Sequence, residues 1–292
     1  MKSIPLPLLL AASLALGCLT STRAAPASPY PPVTLPDTEV RSLPTSAHGR
    51  NYVLEIGLPG SYRSDPARRY PVLYVTDGYW DFPTLYSSYL NLVYDKVAPE
   101  AIIVGIGYPG DHTVDEYNQM RLWELSPTRL GGPADHNSGH AAEFLNTIEH
   151  EIIPFVEHEY RVDPSYRVLA GSSMGGLFTL YALFTRPSLF NGYIAASPAV
   201  TAGADWLFGY EARFERHPQP INARLFMTGA EYEHLLPGIR RFDARLEQAH
   251  FAGLVYQFRM IDHANHAGEK GESYMRGMQF VFAPLVHAQP GP

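Results

Sequence analysis

The sequence predicts an α/β protein: a mostly parallel central sheet with helices on both faces and an antiparallel hairpin at its N-terminal end. Three observations carry this. Apolar runs of strand length alternate with segments whose apolar residues recur at helical spacing. Two β-like runs, residues 39–43 and 51–56, flank the turn-prone Ser46-Ala47-His48-Gly49, which reads as a hairpin. In Tyr166-Arg167-Val168-Leu169-Ala170 and the residues after it, the period changes from strand to helix across residues 171–176, with Leu177, Leu180, Tyr181 and Phe184 at helical spacing.

In order along the chain, residues 70–76 form a buried strand ending at Asp77-Gly78-Tyr79-Trp80, followed by a helix over 85–97 and a strand over 101–107. Residues 108–138 mix glycine, proline and polar side chains without periodicity and are expected to be a long loop, a lid or substrate wall. A helix follows from His140 to about residue 160, with Phe144, Leu145, Ile148, Ile152 and Val156 as its apolar stripe and a kink at Pro154. After the turn at 171–176 come strands over 192–196 and 224–228, a helix over 236–248, a strand over 254–261, a loop over 263–272 and a last helix over 273–282. These elements make one domain, residues 38–285, with residues 25–37 as a proline-rich lead-in and 286–292 as a frayed tail.

With 292 residues, 46% of them hydrophobic and 17% charged, the chain can bury a large core. Its net charge of −7 and the absence of any lysine/arginine run disfavour nucleic acid or an anionic membrane as partner. Residues 1–24 combine Lys2, an apolar stretch and a small-residue exit at Thr22-Arg23-Ala24, a secretory signal peptide too short for a stable span. The mature chain is therefore expected outside the cytoplasm, periplasmic or secreted; a lipoprotein anchored on Cys18 is the alternative, against which Ala15-Leu16-Gly17 is a poor lipobox. Cys18 is the only cysteine and is expected to be removed, which excludes disulfides and thiol catalysis from the mature chain.

The chemistry centres on Gly171-Ser172-Ser173-Met174-Gly175, a G-x-S-x-G frame at a strand-to-helix turn. Such a turn exposes the Ser173 hydroxyl and aims the N–H of Met174 at a developing oxyanion. Ser172 fails the frame because Ala170 stands where the first glycine is needed. A serine nucleophile needs a base, and Asp262-His263-Ala264-Asn265-His266, between the last strand and last helix, offers His263 and His266. The loop Gly229-Ala230-Glu231-Tyr232-Glu233-His234 offers two carboxylates, Glu231 and Glu233, to orient that base. The second oxyanion donor is expected from the N–H of Tyr79, after the strand over 70–76. His234, His263 and His266 match no strong zinc spacing, so neither metal nor organic cofactor is expected.

Tyr70-Pro71-Val72-Leu73-Tyr74-Val75-Thr76-Asp77-Gly78, Gly171-Ser172-Ser173-Met174-Gly175-Gly176-Leu177, Ser197-Pro198 and Asn265-His266-Ala267 with Arg276-Gly277 resemble the putative-esterase family of α/β-hydrolases over residues 50–282. That family includes esterase D (S-formylglutathione hydrolase), feruloyl and acetyl-xylan esterases, mycolyltransferases and esterases of trilactone catecholate siderophores. The resemblance implies the α/β-hydrolase fold, places the base at His266 rather than His263, and supports the Asp77-Gly78-Tyr79 oxyanion loop. Where the family carries an acid three places after a glycine, this chain has Tyr232, three after Gly229. Aligning the strand favours Glu233 and aligning the following helix favours Glu231, while some siderophore esterases manage with a serine–histidine dyad. The exported single-domain form is most similar to the periplasmic siderophore esterases. The implied partner is a small-molecule ester, with a ferric or free catecholate siderophore as the sharpest case. Its anionic rings would be received by Arg121 and Arg129 with Tyr79, Trp80 and Trp206. A feruloyl/acetyl-type or S-formylglutathione-type esterase, an acyltransferase of mycolyl type and a non-catalytic binding protein are the other readings.

Overall fold

The computed structural model describes residue 31 and residues 33–287; the expected signal peptide, Cys18, most of the lead-in and residues 288–292 lie outside it. Eight strands form one sheet: β1 (Thr38–Ser42), β2 (Val53–Gly57), β3 (Tyr70–Val75), β4 (Ile102–Gly107), β5 (Val162–Ser172), β6 (Gly192–Ala196), β7 (Ala223–Ala230) and β8 (Leu254–Ile261). Their order is β1-β2-β4-β3-β5-β6-β7-β8. β1 pairs antiparallel with β2, and β2 with β4, while the six strands from β4 to β8 run parallel.

Parallel strands covered on both faces read as unbroken apolar runs, and alternate residues here serve opposite layers. Val72, Tyr74, Val104, Leu169 and Tyr193 face a layer containing α3 (Ala141–Thr147), α4 (Ile153–Glu159), α5 (Met174–Thr185) and α7 (Leu236–Ala249). Leu73, Val75, Ile103, Val168 and Ile194 face α1 (Gly78–Tyr94) and α8 (Lys270–His287). α8 lies so close that a Cβ on Gly277 would fall 2.5 Å from Ile194 Cγ2.

Five elements differ from the sequence expectations. α1 starts at Gly78, seven residues early, because the chain turns from strand to helix through a left-handed Asp77 (φ 56°, ψ 45°), and the helix runs on through Pro83. The expected loop 108–138 contains α2 (Val114–Leu125), which has no continuous apolar stripe; its signal was Thr113 and Glu116, which form a reciprocal capping box. The expected kink at Pro154 is a π-helical turn over Ile148–Ile152 joining α3 to α4, a wider turn that accommodates the proline's missing N–H. α6 (Ala202–Arg216), where no element was expected, opens with Gly203, Ala204 and Asp205 all left-handed, a backbone that hides the helical pattern. α8 begins three residues before the expected helix and continues past Pro284, so residues 286 and 287 are helical rather than frayed.

α2 is fixed to the sheet by a buried carboxylate, Glu124, which accepts from Tyr52 Oη at 2.9 Å and Tyr108 Oη at 2.7 Å. Burial pushes its carboxyl up to about 7. Between the ordinary value of 4.5 and about 7 the folded chain keeps a proton that the unfolded chain has released, so this residue's contribution falls as pH rises through that window. The loss amounts to at most about 3 kcal/mol. Urea unfolding at pH 5 and pH 8 should show the native chain losing stability with pH, and Glu124→Gln losing less. Parallel losses in both proteins would contradict this reading of Glu124.

Candidate active site

β3 lies between β4 and β5, so the chain crosses to one side after β3 and to the other before β5. The loops leaving the carboxyl ends of β3 and β5 thus open a crevice between them, the usual ligand position in such sheets. The two loops meet there. A Cβ on Gly175 would fall 2.4 Å from Thr76 Oγ1, and one on Gly171 would fall 2.4 Å from the carbonyl oxygen of Gly175. Only glycine fits at either place.

Ser173 occupies the turn between β5 and α5 with φ 59° and ψ −114°, a strained conformation for a residue with a Cβ. It is held there by three backbone bonds: its N–H donates to Ala196 O at 2.9 Å, and its carbonyl accepts from the N–H groups of Leu177 and Ala199, both at 3.0 Å. Met174 opens α5 and Tyr79 is the second residue of α1. Both N–H groups therefore belong to first helical turns, where intrahelical partners are lacking and the helix dipole is positive.

The loops after β7 and β8 carry the remaining candidates. Glu233 Oε2 lies 2.6 Å from His266 Nδ1, and Glu233 Oε1 accepts from Ala230 N–H at 2.6 Å and from Ser197 Oγ at 2.9 Å. Burial pushes the Glu233 carboxyl up, but the bonds from His266, Ala230 and Ser197 outweigh it and hold the group below its ordinary value. Nδ1 being occupied, Nε2 is the ring nitrogen of His266 left for a hydroxyl. Glu231 makes a separate pair: its Oε2 accepts the backbone N–H of His263 at 2.7 Å, and His263 Nδ1 turns to Tyr232 Oη at 2.9 Å. His263 is 85% exposed. The two carboxylates that are alike in the sequence thus serve different histidines.

A second buried carboxyl lies behind this pair. Glu269 Oε2 accepts from Thr228 Oγ1 at 3.2 Å and from Ser273 Oγ, while Thr228 Oγ1 accepts from the Ser197 N–H at 3.2 Å. Burial pushes Glu269 up to about 7. Neither Ser197 nor Glu269 carries a catalytic signal in the sequence. Ser197-Pro198 was visible as a motif, and Glu269 had no signal beyond standing three residues after His266.

Arg121 corrects an expectation. Its guanidinium grips Asp77 with Nε to Oδ1 at 2.8 Å and Nη2 to Oδ2 at 2.7 Å, with Trp80 beneath it at 5.5 Å, and its side chain is only 11% exposed. Its charge is matched within the fold, so it positions the loop after β3 instead of offering a free cation. Arg129 is also engaged, donating to the carbonyl of Pro133 in its own loop. Trp206 stacks on Tyr210 at 4.7 Å and 16°, half-buried on α6. Tyr79 is 65% exposed, and both its ring and that of Trp80 lie against Tyr117, at 5.5 and 4.4 Å. A cavity of about 730 Å³ at α7 and β8, lined by Leu246, His250 and Tyr256, includes none of these candidates.

Known proteins resemble this chain in sequence and in fold. Residues 45–227 match the family described as "Putative esterase". The chain is 27% identical over 272 residues to ferri-bacillibactin esterase BesA of Bacillus subtilis, covering 86% of this chain and 91% of that one. It is 32% identical over 163 residues to apo-salmochelin esterase of Escherichia coli, covering 54% of this chain and 50% of that protein. The crystal structure of BES protein from Bacillus cereus superposes with a TM-score of 0.76 at 27% identity, over 86% of this chain and 97% of that one. No helix among the described residues is long and apolar enough to cross a membrane. With a serine held at the strained turn of an eight-stranded α/β sheet and a buried glutamate bonded to a histidine two loops away, the chain belongs to the "Putative esterase" family and is a carboxylic ester hydrolase.

Proposed function

We propose that the chain is an exported serine esterase in which Ser173, His266 and Glu233 form the triad and the N–H groups of Tyr79 and Met174 form the oxyanion hole. The observation that carries this is the 2.6 Å contact from Glu233 Oε2 to His266 Nδ1, in the loops that follow Ser173 in the order serine, acid, histidine. Ser173 Oγ attacks the ester carbonyl while His266 Nε2 takes its proton. The tetrahedral oxyanion accepts from the two N–H groups, and His266 returns the proton to the leaving alcohol. Water then repeats the sequence on the acyl-enzyme. Glu233 fixes the imidazole with Nδ1 as the donor and stabilises the imidazolium, a role that its lowered proton affinity suits. Export is supported by the signal-peptide pattern of residues 1–24.

For substrate we propose a trilactone siderophore of the catecholate class, supported by relatives whose names specify esterases of ferri-bacillibactin and apo-salmochelin. Purified mature protein should cleave an enterobactin-type trilactone with higher kcat/KM than a neutral short-chain nitrophenyl ester, with products identified by mass spectrometry. Cleavage of the nitrophenyl ester alone would keep the mechanism and reject this substrate.

Ser173→Ala should lower kcat on the nitrophenyl ester by about 10⁴-fold or more, and Glu233→Gln by about 10²- to 10⁴-fold. Glu231→Gln should stay within about threefold, since its carboxylate serves His263. Equal losses at Glu231 and Glu233 would overturn the assignment of the acid. Arg121→Leu should cut kcat by tenfold or more on neutral and anionic esters alike, because losing a preorganised oxyanion donor costs on the order of 3 kcal/mol. A selective rise in KM for the anionic ester would instead show Arg121 contacting substrate.

A further inference from the structure

The two edges of the sheet are finished differently. β1 has five residues, and its charged side chains are engaged: Arg41 binds Glu159, and Glu39 accepts from the hydroxyl of Tyr160. β8 is the opposite edge, bonded to β7 alone, and its eight residues include no proline and a single charge, Arg259. Exposed edges are ordinarily blunted by short strands, lysine, proline or a bulge, and β8 carries none of these.

Grooves flank this edge on both faces. On one, Leu254, Tyr256 and Phe258 pack partly buried against the α7 layer and line a cavity of about 730 Å³ with Leu246 and Phe251. On the other, Gln257 and Arg259 line a cavity of about 260 Å³ with Phe226, Arg276 and Phe280. A strand added to the edge would place alternate side chains in the two grooves.

The charges of α7 identify that strand. Arg241 and Arg245 are paired within the fold, with Asp205 and Glu211. Arg240 and Glu247, two turns apart on one face of α7, are both exposed and form no ion pair among the described residues. Asp243 between them accepts from Tyr256 Oη at 2.7 Å. Arg240 sits at the end of β8, its Nη2 2.9 Å from the sulfur of Met260, whereas Glu247 lines the cavity with Leu254 at the start of the strand. A second β8 running antiparallel about Gln257 sets Met260 opposite Leu254 of the partner subunit. Arg240 is thereby brought to Glu247 of the partner subunit, twice by symmetry. The same register sets Tyr256 against Phe258 of the partner subunit on the α7 face, and Gln257 against its own copy on the other.

We infer that the protein forms a two-fold dimer in which the β8 strands of two copies pair antiparallel and join two eight-stranded sheets into one. The carboxyl ends of the two sets of parallel strands then point in opposite directions, so both crevices stay open.

Sedimentation velocity of the purified mature protein should show a dimer at micromolar concentration. Arg240→Glu and Glu247→Arg each set like charges against each other and should weaken the dimer about tenfold, and the double variant should restore it. Circular dichroism and ester turnover per chain should be unchanged in all three, which shows that each variant folds. Gln257→Cys reads the register, since the one native cysteine, Cys18, lies in the expected signal peptide. Facing residues of antiparallel strands have Cα atoms about 4.5–5.5 Å apart, within reach of a disulfide. Oxidation should therefore link Gln257→Cys into a covalent dimer on a denaturing gel. Val255→Cys, roughly 14 Å from its own copy in this register, should stay unlinked. A protein that remains monomeric at high micromolar concentration rejects the inference and leaves the edge to a different partner. A dimer indifferent to both charge reversals also rejects it, as does equal cross-linking through the two cysteine variants.

Discussion

One ion pair holds the two halves of the crevice in register. Arg121 reaches from α2 to Asp77 with both arms of its guanidinium, and the same Nη2 lies 3.5 Å from the carbonyl of Ser172. A single side chain thus ties α2, the loop after β3 and the last residue before Ser173. A buried pair of this kind is weak evidence of net stabilisation, but removing one partner leaves an uncompensated charge and costs about 3–5 kcal/mol. One turn further along α1, Asp81 repeats the device with α8, accepting from Lys270 Nζ and from Tyr274 Oη, both at 2.5 Å. The start of α1, which presents the Tyr79 N–H, is therefore anchored from two sides. In the oxyanion hole proposed above, a donor fixed this way would need no reorganisation as charge develops.

The sheet supplies the other constraint. Gly175 against Thr76 and Gly171 against the carbonyl of Gly175 leave no room for side chains, so the chain must pass Ser173 through a conformation that serine tolerates poorly. The cost is carried by the buried strands on both sides, β3 and β6, whose backbones bind each edge of β5.

Much of this was legible in the sequence. The parallel strands announced themselves as apolar runs, and the G-x-S-x-G frame marked the turn because each glycine is sterically required. The choice of acid was not legible. Glu231 and Glu233 stand two apart in one loop with the same local signal, and long-range backbone bonds separate them. The N–H groups of Glu231 and Tyr232 donate to Ile261 and Ala264 beside β8, and the chain then turns back so that the Glu233 carboxylate meets the Ala230 N–H. Nor was Arg121 legible. A cation in an apparently irregular stretch reads as free until its helix is known, and α2 has a capping box but no stripe. α6 was hidden by its left-handed first turn, and Ser197 by having no acid or base of its own.

The buried carboxyls around the site are sorted by donors rather than by depth. Glu233 and Glu269 are linked through Ser197, Thr228 and Ser273, and both are buried. Glu233 receives a histidine, a backbone N–H and a hydroxyl, and stays ionised below its ordinary range. Glu269 receives two hydroxyls at one oxygen while the other has no partner among the described residues, and burial moves it to about 7. Two like charges so placed oppose each other, and the one with fewer donors keeps its proton. Below about pH 7 the buried pair therefore carries one negative charge, on the carboxylate that bonds His266. In the proposed mechanism, an imidazolium at His266 is then matched by a single, fixed counter-charge.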